Sequence, residues 1–146
     1  MKHFLLLLGS LALLTPAFAA DRHPKGAEPL RIGYGEQVNL ADYLVPGKTT
    51  VFDFTSKFCP PCRGYDQPLI QLHQQRSDLV VVKVDINRAG VKGIDWESPV
   101  SQQYGLANMG IPHFKIYGPD GKLIAEDTTR PAPARAMVNQ WLSALK

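Results

Sequence analysis

Thr50-Val51-Phe52-Asp53-Phe54-Thr55, followed after Ser56-Lys57-Phe58 by Cys59-Pro60-Pro61-Cys62, is the stretch that decides the fold. Five of its first six residues are β-branched or aromatic, which reads as a buried strand. Beyond the cysteines, Tyr65, Leu69 and Leu72 recur at helical spacing, so Cys59 to Gln75 is expected to form a helix. Pro68 lies inside that pattern and predicts a kink. A strand that leads directly into a helix puts both cysteines at the carboxyl edge of a sheet, where such folds bind ligands.

Working outward, Leu30 to Tyr34 alternates apolar and polar residues as a half-buried strand does. Asn39 can cap a short helix through Leu44, ended by Pro46-Gly47. Leu79 to Ile86 (LVVVKVDI) is the most strand-like stretch of the chain. Loop signals fill Asn87 to Ser98, and Ser98 to Tyr104 reads as a short helix. Gly118-Pro119-Asp120-Gly121 between His113 to Tyr117 and Lys122 to Ala125 signals a hairpin. Pro133 to Leu145 closes the chain as an amphipathic helix with Met137, Trp141 and Leu145 on one stripe. Alternating helices and strands imply crossover connections, and the hairpin adds an antiparallel pair. The expected class is α/β: a central mixed β-sheet flanked by helices.

The 146 residues suit one domain, and a net charge of +3 leaves no electrostatic footprint for nucleic acid. Two cysteines exclude a disulfide-stapled scaffold and a four-thiolate zinc site. Lys2 and His3 precede an apolar run, Phe4 to Leu14, and Ala17-Phe18-Ala19 offers a signal-peptidase site. Residues 1–19 therefore read as a signal peptide whose removal takes the charge to +2, since Lys2 is lost. The run is short for a membrane span, which needs about 20 residues. Residues 20–29 read as a flexible leader with no core role and 30–146 as the domain, so an exported, periplasmic-type soluble protein is expected.

Cys59 and Cys62 are close enough for a disulfide. A structural bridge over so short a loop would stabilise little in the chain-entropy model, so redox work is the better explanation. A helix N-terminus favours the thiolate of its first sulfur, which makes Cys59 the attacking thiol and Cys62 the resolving one. Asp53, an acid in an apolar strand, is expected to be buried with a raised pKa and to exchange a proton with Cys62.

These segments resemble the thioredoxin family. Val51-Phe52-Asp53-Phe54 with Phe58-Cys59-Pro60-Pro61-Cys62 is similar to its strand-to-active-site segment, and Asp53 stands where the family has its buried acid. Lys83-Val84-Asp85 resembles the strand that carries a lysine near that acid. Tyr104-Gly105 and Gly110-Ile111-Pro112 resemble the run to the family's cis-proline. The resemblance covers residues 30 to 146. It implies a thioredoxin fold, with an extended loop before a cis Ile111–Pro112 bond whose backbone faces an extended substrate. It further implies Ile111 and Pro112, with Pro60 and Pro61, as substrate-contacting residues, and Lys83 as the tuner of the Asp53 pKa. Departures are Phe58 for the usual tryptophan, Pro60 for glycine, Pro68 one residue late, and a longer chain between Asp85 and Ile111 around Trp96. Trp96 reads as a loop anchor or partial core.

An exported thiol–disulfide oxidoreductase is therefore expected, acting on protein thiols or disulfides with the Cys59–Cys62 pair as its only redox group and no other cofactor. Pro60 and Pro61 have no amide hydrogen to stabilise the Cys59 thiolate, and a buried Asp53 anion would disfavour it. Both effects favour a reductant, against the pull of Arg63 and the helix dipole. In an oxidising compartment such a reductant draws electrons from a membrane donor, by family analogy a transmembrane thiol-reducing protein. A monomer without nucleic-acid partners is expected. The alternative is a copper(I) or zinc carrier on the same thiolates, with His113 as a further ligand. That reading leaves Asp53 without a role, and His3, His23, His73 and His113 show no ligand spacing.

Overall fold

The computed structural model describes residues 25–145. The expected signal peptide, 1–19, lies outside them. Five strands form one sheet: β1 (Leu30–Gly33), β2 (Thr49–Thr55), β3 (Leu79–Asp85), β4 (His113–Tyr117) and β5 (Leu123–Glu126), in the order β1-β3-β2-β4-β5. The β1·β3 and β2·β3 pairs are parallel, and β2·β4 and β4·β5 antiparallel, so the sheet is mixed. Among the described residues five helices accompany it: α1 (Pro60–Arg63), α2 (Asp66–Gln75), α3 (Pro99–Gln103), α4 (Leu106–Met109) and α5 (Pro133–Ser143). A 3-10 turn, Leu40–Tyr43, is capped as expected by Asn39, whose side chain accepts from the Ala41 amide.

Alternation along β2 and β3 sorts the core into two layers. Phe52 and Phe54 join Val82, Val84 and Ile32 on one face, under α3 and α4. Val51, Leu79, Val81, Phe114 and Ile116 form the other, covered by Leu69 and Leu72 of α2 and Ala134 and Val138 of α5. Both central strands are buried on both faces, which explains why neither shows polar alternation. The α5 stripe is therefore centred on Ala134 and Val138; Met137, Trp141 and Leu145 pack beside it, half-buried. Trp96 is likewise half-buried against the first core layer.

Two sequence expectations need correction. The helix after the cysteines is not one kinked rod but two helices. Pro68 stands in the first turn of α2, and its ring excludes the carbonyl four residues back, that of Gly64. The break accordingly falls at Gly64–Tyr65, where the Tyr65 amide tightens onto the Cys62 carbonyl at 3.0 Å. The helix from Ser98 keeps its expected span, with Ser98 as N-cap and Tyr104 as C-cap, and Gly105 at φ 63° begins a further helix, α4. The end of the presumed flexible leader is anchored. Lys25 Nζ donates to the carbonyls of Arg76 and Leu79, the latter at 2.9 Å. The Gly26 carbonyl meets His73 Nε2 at 3.0 Å, and the Ala27 carbonyl accepts from Gln74 Nε2 at 2.9 Å.

Candidate active site

At the carboxyl edge of β2 the chain turns through Ser56, Lys57 and Phe58. The Ser56 hydroxyl accepts from the Phe58 amide at 3.1 Å, and the Ser56 carbonyl from the Cys59 amide at 3.1 Å. These bonds hold Cys59 at the N-cap of α1. Cys59 and Cys62 are joined by a disulfide with Cα atoms 5.3 Å apart. Pro60 and Pro61 occupy the first helical positions, where a missing amide hydrogen costs the helix nothing. They also leave the Cys62 amide as the donor to Cys59 Sγ, at 3.2 Å. Because α1 is only four residues long and separate from α2, little helix dipole reaches the sulfur. Both cysteines are buried, at 2% and 0% exposure, beneath exposed Pro60 and Pro61.

The Ile111–Pro112 bond is cis, and the Ile111 carbonyl oxygen stands 3.8 Å from Cys59 Sγ. The Pro112 carbonyl accepts from Arg135 Nη2 of α5. Asp127 holds the same corner, accepting from the Phe114 amide at 3.0 Å and the Arg135 amide at 2.8 Å.

Asp53 is fully buried on the sheet face under α2, and neither carboxylate oxygen has a hydrogen-bond partner among the described residues. Burial raises its pKa to about 7 against the opposing charge of Lys83. Lys83 is its register partner on β3, with Nζ 3.8 Å from Asp53 Oδ2. The ammonium is nevertheless shared, because it donates to Asp66 at the start of α2. Sequence reading missed Asp66; its only signal was a position one helical turn beyond Cys62.

The insertion before the cis-proline is pinned to the cysteine loop. Asn87 Oδ1 accepts from the Ser56 hydroxyl at 2.6 Å, and Asn87 Nδ2 donates to the Gly93 carbonyl at 2.7 Å. Arg88 grips Asp95 through Nε and Nη2, at 2.8 and 2.9 Å. His113 does not join the cysteines. It is a buried β4 residue opposite Phe54, and desolvation lowers its pKa. Among the described residues no group of three His, Cys, Asp or Glu side chains could hold a metal ion.

A thioredoxin from Trypanosoma brucei brucei superposes with a TM-score of 0.53 at 18% identity, covering 84% of this chain and 93% of that one. A mutant thioredoxin from Halobacterium salinarum NRC-1 gives 0.52 at 20% identity, with coverage of 82% and 93%. The chain has the thioredoxin fold. Thioredoxin f2 of Chlamydomonas reinhardtii shares that fold with a TM-score of 0.51 and 25% identity, over 79% of this chain and 95% of its own. In sequence, the mitochondrial thioredoxin O1 of Arabidopsis thaliana is 28% identical over 81 residues, 56% of this chain and 39% of that protein. The chain thus matches well under half the length of this curated relative. No family model matches. The thioredoxin fold, with a close cysteine pair at its sheet edge, equips the chain for thiol–disulfide chemistry.

Proposed function

We propose that this chain is an exported thiol–disulfide oxidoreductase that reduces protein disulfides through Cys59 and Cys62. The observation that carries the reading is the Cys59–Cys62 disulfide, set against the Ile111 carbonyl at the edge of a sheet that buries Asp53 with a pKa of about 7. In the reduced protein the Cys59 thiolate attacks one sulfur of a substrate disulfide, and the other substrate sulfur leaves as a thiolate. Cys62 gives its proton to the Asp53 carboxylate and attacks Cys59 Sγ. The second substrate thiol departs, and the pair is left oxidised. Two electrons pass to the substrate and are restored by a membrane thiol donor. A group with a pKa near neutrality can both take and return that proton.

The reductive direction rests on the two prolines: one amide, that of Cys62, serves the Cys59 sulfur. A poorly stabilised thiolate lowers the potential. Protein partners fit the fold, since one similar solved chain comes from a complex of ferredoxin:thioredoxin reductase with thioredoxin f2. Equilibration of the pair with glutathione is the test. A potential near the thioredoxin value of about −270 mV supports a reductase, and one near about −120 mV makes the protein an oxidant. Loss of dithiothreitol-coupled insulin reduction in Cys59→Ser tests the chemistry itself; unchanged turnover would refute it.

A further inference from the structure

Beside the cysteine loop lies a groove of about 740 Å³ lined by Tyr34, Lys57, Phe58, Asn87, Arg88 and Lys92. The chemistry proposed above uses none of these side chains. Two features mark the groove as built. Its floor is fixed by the Arg88–Asp95 fork and the Ser56–Asn87 bond. Its lip is held in a costly conformation: Tyr34 has φ 51°, between Gly33 at 89° and Gly35 at 87°. A side chain at Gly35 is excluded, because its Cβ would stand 2.7 Å from the Arg88 amide nitrogen. A non-glycine residue in the left-handed region costs about 1 kcal/mol or more, and such strain concentrates at ligand clamps. Here it presents the Tyr34 ring to solvent at 56% exposure, with Phe58 at 36%.

The unpaired charges lining the groove are cations, while Glu36 and Glu97 act on Arg88 from beside it. A smaller hollow continues it towards the cysteine helix, sharing Lys57 and Asp85 and adding Arg31, Arg63 and Asp66. Asp85 is paired with Arg31, Asp66 with Lys83, and Arg88 with Asp95. Lys57, Arg63 and Lys92 have no ion pair among the described residues. Lys57 Nζ instead lies 5.1 Å from the Phe58 ring centre. Three unpaired cations and two exposed rings thus line a trough that reaches Arg63 on α1, the helix that carries Cys62.

We infer that this groove binds an acidic polypeptide segment with aromatic or apolar side chains, in the partner protein whose cysteine meets Cys59. The inference rests on the oxidoreductase reading and adds the partner's chemistry to it. Acidic residues would be drawn by Lys57, Arg63 and Lys92, and an aromatic side chain would pack between Tyr34 and Phe58.

The experiment uses the oxidised protein and short fluorescent peptides without cysteine, one alternating Asp with Phe and one alternating Lys with Phe. The acidic peptide should bind about tenfold more tightly at about 0.01 M salt, and the preference should shrink towards unity at about 1 M. Lys57→Gln combined with Lys92→Gln should remove most of that preference. Tyr34→Gly should weaken binding at every salt concentration, since glycine accepts the left-handed backbone but supplies no ring. Equal binding of the two peptides, or a preference untouched by the double variant, overturns the inference. So does a single-stranded oligonucleotide that binds more tightly than the acidic peptide. The wild type also separates the two readings. Turnover of a small neutral disulfide without peptide preference removes the groove and keeps the oxidoreductase. Peptide preference without any disulfide turnover does the reverse.

Discussion

Replacing Asp53 by asparagine should change how stability depends on pH, and the size of the effect follows from burial. The carboxyl titrates near pH 7 in the folded chain, against an ordinary value of 3.8. That is a gap of about three pH units, on the order of 4 kcal/mol at 1.36 kcal/mol per unit. Because the folded pKa is raised, the unfolded chain releases this proton first as pH climbs. Between about pH 4 and pH 7 the native state therefore holds more protons than the unfolded one, and Asp53 lowers stability progressively through that window. Below about pH 4 the penalty is absent, and above about pH 7 it is complete. Asp53→Asn has no such slope. Its buried amide carries a penalty of about 1–3 kcal/mol, but the same at every pH. Equilibrium urea unfolding of the oxidised protein from pH 4 to pH 8 should show the stability difference moving by roughly 4 kcal/mol in favour of the variant. Parallel pH profiles for the two proteins would refute the argument, because Asp53 would then be fully compensated by Lys83.

Three further outcomes are expected. In the reduced protein near neutral pH, iodoacetamide should label Cys59 before Cys62, and mass mapping that found Cys62 first would reverse their roles. Asp66→Asn frees the Lys83 ammonium for Asp53, so the Asp53 pKa should fall and the pH profile of insulin reduction should move to lower pH; an unmoved profile would show that Asp66 does not reach the buried acid through Lys83. Pro60→His should raise the reduction potential from near about −270 mV towards about −120 mV and lower the Cys59 pKa together, read by glutathione equilibration and thiolate absorbance.

The local grammar of the chain was legible where one interaction decides the outcome. Two apolar strands, the Asn39 cap, the hairpin turn and the cysteines at a sheet edge each follow from a few neighbouring residues. The α1–α2 break was misplaced because a proline acts on the carbonyl four residues behind it, and Gly64 offers little resistance there. The sharing of Lys83 was invisible for a different reason. Asp53 and Lys83 are register partners, which strand pairing makes readable, whereas Asp66 reaches the same ammonium only after α2 docks on the sheet. The Ser56–Asn87 bond joins loops 31 residues apart, and no periodicity announces such a contact. The anchoring of residues 25–27 was missed because short polar segments have no pattern until backbone carbonyls find donors.

That anchoring fixes an orientation. Lys25 is fastened at Arg76 and Leu79, where α2 ends and β3 begins, whereas the disulfide precedes the other end of α2. A ten-residue helix is about 15 Å long, so the two points lie at opposite poles of the domain. Anything fused or immobilised ahead of Lys25 joins the pole away from Cys59. A surface coated through that end would expose the redox edge to solution, and a bulky fusion there would leave the groove between Tyr34 and Lys92 open to its partner.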